Sequence, residues 1–278
     1  MYSKKKFANG FEYIEVQNRK ASAKIALQGA HIFEYKCEGK ADLLWLSEES
    51  AFEYTQAIRG GVPICWPRFG SLDANMPSHG FSRTAIFELV EVKELSTSLT
   101  EVRLRLSDDA QTRKIWDFSF VLDVVFRVSD SLEIEMITTN KSKEAFVLTQ
   151  ALHSYFSVSA ISDVKISGLE GKEFLDTLND ERREESSAVT IDAECDRVYF
   201  GVDKDIVLED ALKQVKLHAK GSASAVVWNP WIEKGSRMSG MKPEAYKEFV
   251  CIETANAFDD FKVLQPEESH KLSVRMEF

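Results

Sequence analysis

Two neighbouring runs decide the fold class: Val121-Leu122-Asp123-Val124-Val125-Phe126-Arg127-Val128 and Leu132-Glu133-Ile134-Glu135-Met136-Ile137-Thr138, joined by Ser129-Asp130-Ser131. The first is short, apolar and β-branched. The second alternates apolar and polar with period two, as a strand with one buried face does. The polar triplet between them reads as a hairpin turn. Working outward, residues 101–106 alternate and stop at Ser107-Asp108-Asp109, and residues 22–27, 147–152, 164–166, 225–228, 249–253 and 272–278 fit the same strand pattern. Helical periodicity is sparse, with short helical turns expected only at residues 50–55 and Pro243–Lys247. The polar and charged stretch 177–187 reads as a surface loop. Many short strands divided by turn signals predict an all-β, antiparallel sandwich, not alternating β/α units. No linker or internal repeat divides the chain, so residues 1–278 are read as one domain, a length that β-sandwiches fill as a single unit.

Composition narrows the partners. Lys and Arg number 35 against 45 Asp and Glu, a formal net charge of −10. An acidic chain is ill suited to nucleic acid, whose binding rests on clustered cations. Apolar runs are too short for a membrane helix, which needs roughly 20 residues. The start, Met1-Tyr2-Ser3-Lys4-Lys5-Lys6, is basic but leads into Phe7-Ala8-Asn9-Gly10 and lacks the apolar core of a secretory signal. Cys37, Cys65, Cys195 and Cys251 form no CxxC pair and no zinc spacing, so they read as buried free thiols in a cytoplasmic protein without a metal or other cofactor.

Chemistry concentrates in two motifs. Ile58-Arg59-Gly60-Gly61-Val62-Pro63-Ile64-Cys65-Trp66-Pro67-Arg68-Phe69-Gly70 is followed by Ser78-His79-Gly80-Phe81-Ser82-Arg83. Glycines and prolines at this density build a rigid, irregular backbone, and the arginines and histidine it presents suit a small anion. Arg59 and Arg83 form a candidate clamp, since a guanidinium fork matches phosphate or carboxylate oxygens. His153 ends an apolar strand and precedes Ser154-Tyr155-Phe156; such a histidine is either a satisfied core group or a functional one. Glu253 closes another strand. It lies either at a solvated strand end or in a cleft, where burial would raise its pKa and suit it to general-base work. Asp196 has Arg197 beside it as a simple ion-pair partner. His31 reads as structural or exposed, and His218 and His270, flanked by lysines, as surface groups. Trp66, Trp228 and Trp231 are core residues or aromatic walls of a sugar site.

Taken together, residues 58–70, 78–83, 151–156, 196–199, 227–231 and 249–256 resemble, in order, the aldose 1-epimerase superfamily, and within it the hexose-6-phosphate 1-epimerases. The "RGGVPICWP" and "HGFxR" versions are similar to the phosphate-using branch; Ser82 replaces a common alanine, and Arg68 replaces a common glutamine or aromatic residue. The resemblance implies a large antiparallel β-supersandwich of the galactose mutarotase-like type. It implies His153 as general acid and Glu253 as general base, placed on opposite sides of the sugar's acetal carbon. It further implies that Asp196 and His79 bind the sugar, that Arg59 and Arg83 bind sugar or phosphate, and that no cofactor is needed. The expected partner is a small sugar phosphate, with the chain a monomer or weak dimer. Two other readings stay open: a non-catalytic sugar-phosphate binding module, and a glycoside hydrolase using Asp196 and Glu253 as its carboxylate pair.

Overall fold

The hairpin at residues 121–138 sits inside an eight-stranded antiparallel sheet of the computed structural model, which describes residues 1–71 and 76–278. Its two strands, Phe120–Val128 and Leu132–Asn140, pair throughout their length, from Phe120 opposite Asn140 to Val128 opposite Leu132. The sheet runs Lys165–Ser167, Ile206–Glu209, Gln214–Lys220, Ser269–Glu277, Leu132–Asn140, Phe120–Val128, Leu99–Ser107, Glu88–Ser96. A second eight-stranded sheet runs Glu181–Glu184, Glu173–Asp176, Cys195–Phe200, Ser224–Asn229, Phe249–Asn256, Gln150–Leu152, Ile64–Cys65, with Tyr155–Ser157 also paired to Phe249–Asn256. A four-stranded N-terminal sheet comprises Tyr2–Lys6, Glu12–Gln17, Ala21–Ala26 and His31–Cys37. One continuous core draws on all three: Val124, Phe126, Ile134 and Met136 from the first, Phe156, Val227 and Ile252 from the second, Ile14, Ile25 and Ile32 from the third. The architecture is the all-β sandwich expected, with 49% strand and 9% helix. Among the described residues no helix is long and apolar enough to cross a membrane.

The second sheet carries the site, and its alternation explains how. Along Phe249–Asn256, Val250 and Ile252 enter the main core, whereas Phe249, Cys251 and Ala255 belong to a separate apolar cluster on the opposite face. Glu253 shares that opposite face by the two-residue period of a strand. The neighbouring strand behaves alike, with Val227 in the core and Val226 and Trp228 on the other side.

Several local expectations change. Residues 147–152 form two strands, not one: Phe146–Leu148 pairs with Lys262–Leu264, and Gln150–Leu152 joins the second sheet. Between them the Thr149 N–H donates to the Pro67 carbonyl at 3.2 Å, so the chain changes partners there. Residues 50–55 form turns and irregular backbone without a helix; Gln28 ties that segment down by accepting from the Thr55 N–H at 2.8 Å. Pro243–Lys247 is helical as expected, as a 3-10 turn. The stretch 177–187 contains an exposed edge strand, Glu181–Glu184, whose charged residues suit an unpaired sheet edge. His218 and His270 are half-buried, not surface groups: His218 contacts Asp205 and Glu277, and His270 contacts the Asn256 side chain at 2.9 Å.

Candidate active site

Backbone packing places the cationic motifs. Gly61 adopts φ +62°, and a Cβ there would lie 2.3 Å from the Ile32 carbonyl oxygen; Gly80, at φ +76°, would place one 2.0 Å from the Trp66 carbonyl oxygen. Only glycine fits such approaches in the left-handed region. The Gly61 N–H donates to the Trp45 carbonyl at 2.7 Å and its carbonyl accepts from Tyr155 at 2.9 Å, while the His153 N–H donates to the Pro63 carbonyl at 3.0 Å. The segment carrying Arg59 is thereby fastened to the bend carrying His153. His79 is held by its N–H, which donates to the Gly70 carbonyl at 2.7 Å.

These elements enclose a cavity of about 440 Å³ lined by, among others, Arg59, His79, Arg83, His153, Asp196 and Glu253. That volume lies in the usual small-molecule range of roughly 300–1,000 Å³. At its floor His153 Nε2 lies 3.2 Å from Glu253 Oε1, with side-chain exposures of 12% and 2%. The pair is in direct contact, side by side. His153 Nδ1 and Glu253 Oε2 are buried without hydrogen-bond partners among the described residues. Burial, with a smaller contribution from Asp196, pushes the Glu253 carboxyl well above the usual carboxylate range. Burial, followed by His79, Arg83 and Arg59, holds the His153 imidazole well below its ordinary value. The pair therefore resists both a second proton and the loss of its last one. An apolar core gains nothing from a carboxyl whose desolvation costs several kcal/mol, which makes Glu253 a candidate for general acid–base work.

Around the pair, Tyr155 stacks on the His153 ring at 4.9 Å and 12°, and its hydroxyl accepts from Arg59 Nη1 at 3.4 Å. His79 meets His153 edge to face at 5.9 Å; burial, then Arg83 and Arg59, lower its pKa to about 4. Arg83 Nη2 donates to the Ser78 carbonyl at 2.5 Å. Among the described residues neither Arg59 nor Arg83 forms an ion pair with a carboxylate. On so acidic a chain, two guanidiniums in one pocket with no carboxylate partner among the described residues favour an anionic guest.

All six candidate site residues thus line one cavity. Other expectations fare differently. Asp196 pairs with Lys234 Nζ at 3.5 Å, not with Arg197, which turns to Glu185 at 3.1 Å. Trp66 is fully buried in the core, its indole N–H donating to Thr138 at 2.9 Å, and Trp231 packs on Tyr246 at 5.2 Å; of the three indoles singled out, Trp228 lines the cavity. Arg68 donates to the Val147 carbonyl. His31 is structural, buried with Nε2 2.7 Å from the Gly60 carbonyl. Lys234, Tyr155 and Phe69 also line the cavity and were not anticipated as site residues. Lys234 rides on the helix Trp231–Arg237, whose start is marked by Asn229 Oδ1 accepting from the Trp231 N–H at 2.9 Å. The Asn-Pro pair before Trp231 was the available helix-start signal.

Comparison with known proteins agrees with this architecture. The chain belongs to the aldose 1-epimerase family, whose sequence model matches residues 12–277. An Escherichia coli K12 protein described as "Putative glucose-6-phosphate 1-epimerase" is 34% identical over 264 residues, covering 93% of this chain and 88% of its own. A Salmonella typhimurium LT2 protein of the same description is 36% identical over 251 residues, covering 88% and 83%. The crystal structure of a Salmonella typhimurium "putative mutarotase" aligns with a TM-score of 0.93 at 32% identity, covering 99% of this chain and 92% of that one.

Proposed function

We propose that the protein interconverts the α and β anomers of a hexose 6-phosphate. The observation that carries this reading is the buried His153–Glu253 contact at 3.2 Å facing the cavity. Anomer exchange requires one proton to leave the C1 hydroxyl and another to reach the ring oxygen, and both oxygens sit on the same carbon. An acid and a base in mutual contact, sharing one proton, suit two reacting atoms that are equally close.

At rest the single proton sits on Glu253 and His153 is neutral; it crosses the 3.2 Å contact to His153 as the sugar binds, and the ionised Glu253 then takes the C1-hydroxyl proton as the C1–O carbonyl forms and the bond from C1 to the ring oxygen breaks. His153 gives its proton to the ring oxygen. Rotation about C1–C2 turns the aldehyde, and reclosure on its other face reverses both transfers. The pair begins and ends with the same single proton, so the cycle balances without a cofactor. Acid–base help of this kind contributes roughly 10²–10⁴-fold. Asp196 and His79 bind sugar hydroxyls, and Arg59 and Arg83 hold the phosphate, fixing the ring while C1 reacts. Tyr155, stacked on His153 and bonded to Arg59, ties the anion clamp to the acid. A binding module would leave the buried pair without work.

The four buried free thiols suit a reducing cytoplasmic setting. Selectivity tests the phosphate assignment: the expected result is a kcat/KM far higher for glucose 6-phosphate than for glucose, with inorganic phosphate competing. In Arg59→Ala and Arg83→Ala the KM for the phosphorylated sugar rises while glucose turnover changes little. Equal use of both sugars by the wild-type protein would remove the clamp.

A further inference from the structure

We infer that Lys234 is a positioning residue: its ammonium, reaching from the rim helix to the Asp196 carboxylate, keeps that carboxylate charged and in place to accept sugar hydroxyls. This rests on the proposed role of Asp196 in binding sugar hydroxyls. Lys234 Nζ lies 3.5 Å from Asp196 Oδ2 and 3.0 Å from Glu194 Oε1, so one cation faces two carboxylates. The same ammonium sits 5.8 Å from the Trp228 ring centre, on the cavity wall. It projects from the rim helix Trp231–Arg237, with its side chain 41% exposed, onto an aspartate of the strand Cys195–Phe200.

The charges facing Asp196 make that cation matter. Glu194 precedes it by two residues, and Glu253 interacts with it across the sheet. Arg197, its sequence neighbour, is engaged by Glu185, and Thr177 Oγ1 donates to the Asp196 backbone carbonyl at 3.1 Å. Burial raises the Asp196 pKa, and Lys234 provides the largest opposing influence. A carboxylate accepts several sugar hydroxyl donors, whereas a protonated carboxyl spends part of its capacity as a donor. Lysine on an exposed helix can supply this charge at little packing cost.

The test is glucose 6-phosphate affinity between pH 8 and pH 5.5 for wild type, Lys234→Met, Lys234→Arg and Asp196→Asn, with the folding of each checked by its thermal transition. Comparing variants at the same pH cancels the ligand's own phosphate titration near about 6. Lys234→Met should bind within about threefold of wild type at pH 8 and several-fold more weakly at pH 5.5, the deficit growing as pH falls because burial raises the Asp196 pKa once its cation is gone. Lys234→Arg should restore the wild-type profile. In an Asp196→Asn background, Lys234→Met should cost nothing further. A loss equal at all pH values and undiminished in that background would overturn the inference, making Lys234 a direct ligand of the phosphate. Normal affinity for Asp196→Asn would instead sink the underlying assignment of Asp196, whatever Lys234 does.

Discussion

At the scale of single residues, function turns on one shared proton. Glu253→Gln and His153→Ala each remove a partner from the 3.2 Å contact, and turnover should fall by at least about 10²-fold. Neither change removes a large apolar side chain, so thermal stability should stay near wild type; undiminished turnover in either variant would end the assignment. The pH dependence follows from the two displaced groups. With His153 held well below 6.5 and Glu253 well above 4.5, the one-proton state spans the interval between their pKa values. Acidification ends it by charging His153, and alkalinisation ends it by ionising Glu253. A kcat profile should therefore show no inflection near 6.5; an ordinary histidine titration there would contradict the account. The sequence made these two residues legible because each follows a short apolar run, where a polar group is conspicuous, although Glu253 lies inside the strand Phe249–Asn256 and does not end it. Their contact was not legible, since they lie a hundred positions apart and meet only through strand pairing. Lys234 escaped for a related reason: its partner Asp196 belongs to another element.

At the scale of elements, the site depends on alternation and on glycine. Period two sends Cys251 and Glu253 to the cavity face while Val250 and Ile252 fill the core, so a one-residue slip would exchange them. The strands were readable from this alternation. The break at Thr149, the edge strand Glu181–Glu184 and the helix Trp231–Arg237 were not, because each is fixed by partners distant in sequence or by a local cap. Gly61→Ala would drive a Cβ to within 2.3 Å of a backbone oxygen at a positive φ. A cost of at least about 1–3 kcal/mol is expected, with a raised KM because Arg59 shifts. A variant as stable as wild type, with unchanged KM, would show that this packing does not position the arginine.

At the scale of the whole molecule, one core shared by three sheets implies one cooperative unit. Urea unfolding should give a single transition by tryptophan fluorescence and by far-ultraviolet dichroism, and two separated transitions would contradict a one-domain chain. His31 adds a pH term. Burial holds it at about 4, so the folded state keeps it neutral where the unfolded chain would charge it. Its contribution is complete above about pH 6.5 and is lost as pH falls toward 4, on the order of 2–3 kcal/mol by pH 4.5. By magnetic resonance its ring should not titrate until about pH 4; a midpoint near 6.5 would refute the buried neutral assignment.

The central claim is anomer exchange at a phosphorylated sugar, and exchange NMR on equilibrated glucose 6-phosphate tests it most directly. Cross-peaks between the α and β C1 protons should grow with catalytic amounts of wild-type protein and return to the spontaneous rate with Glu253→Gln. Exchange no faster than spontaneous, from folded wild-type protein, would contradict the account.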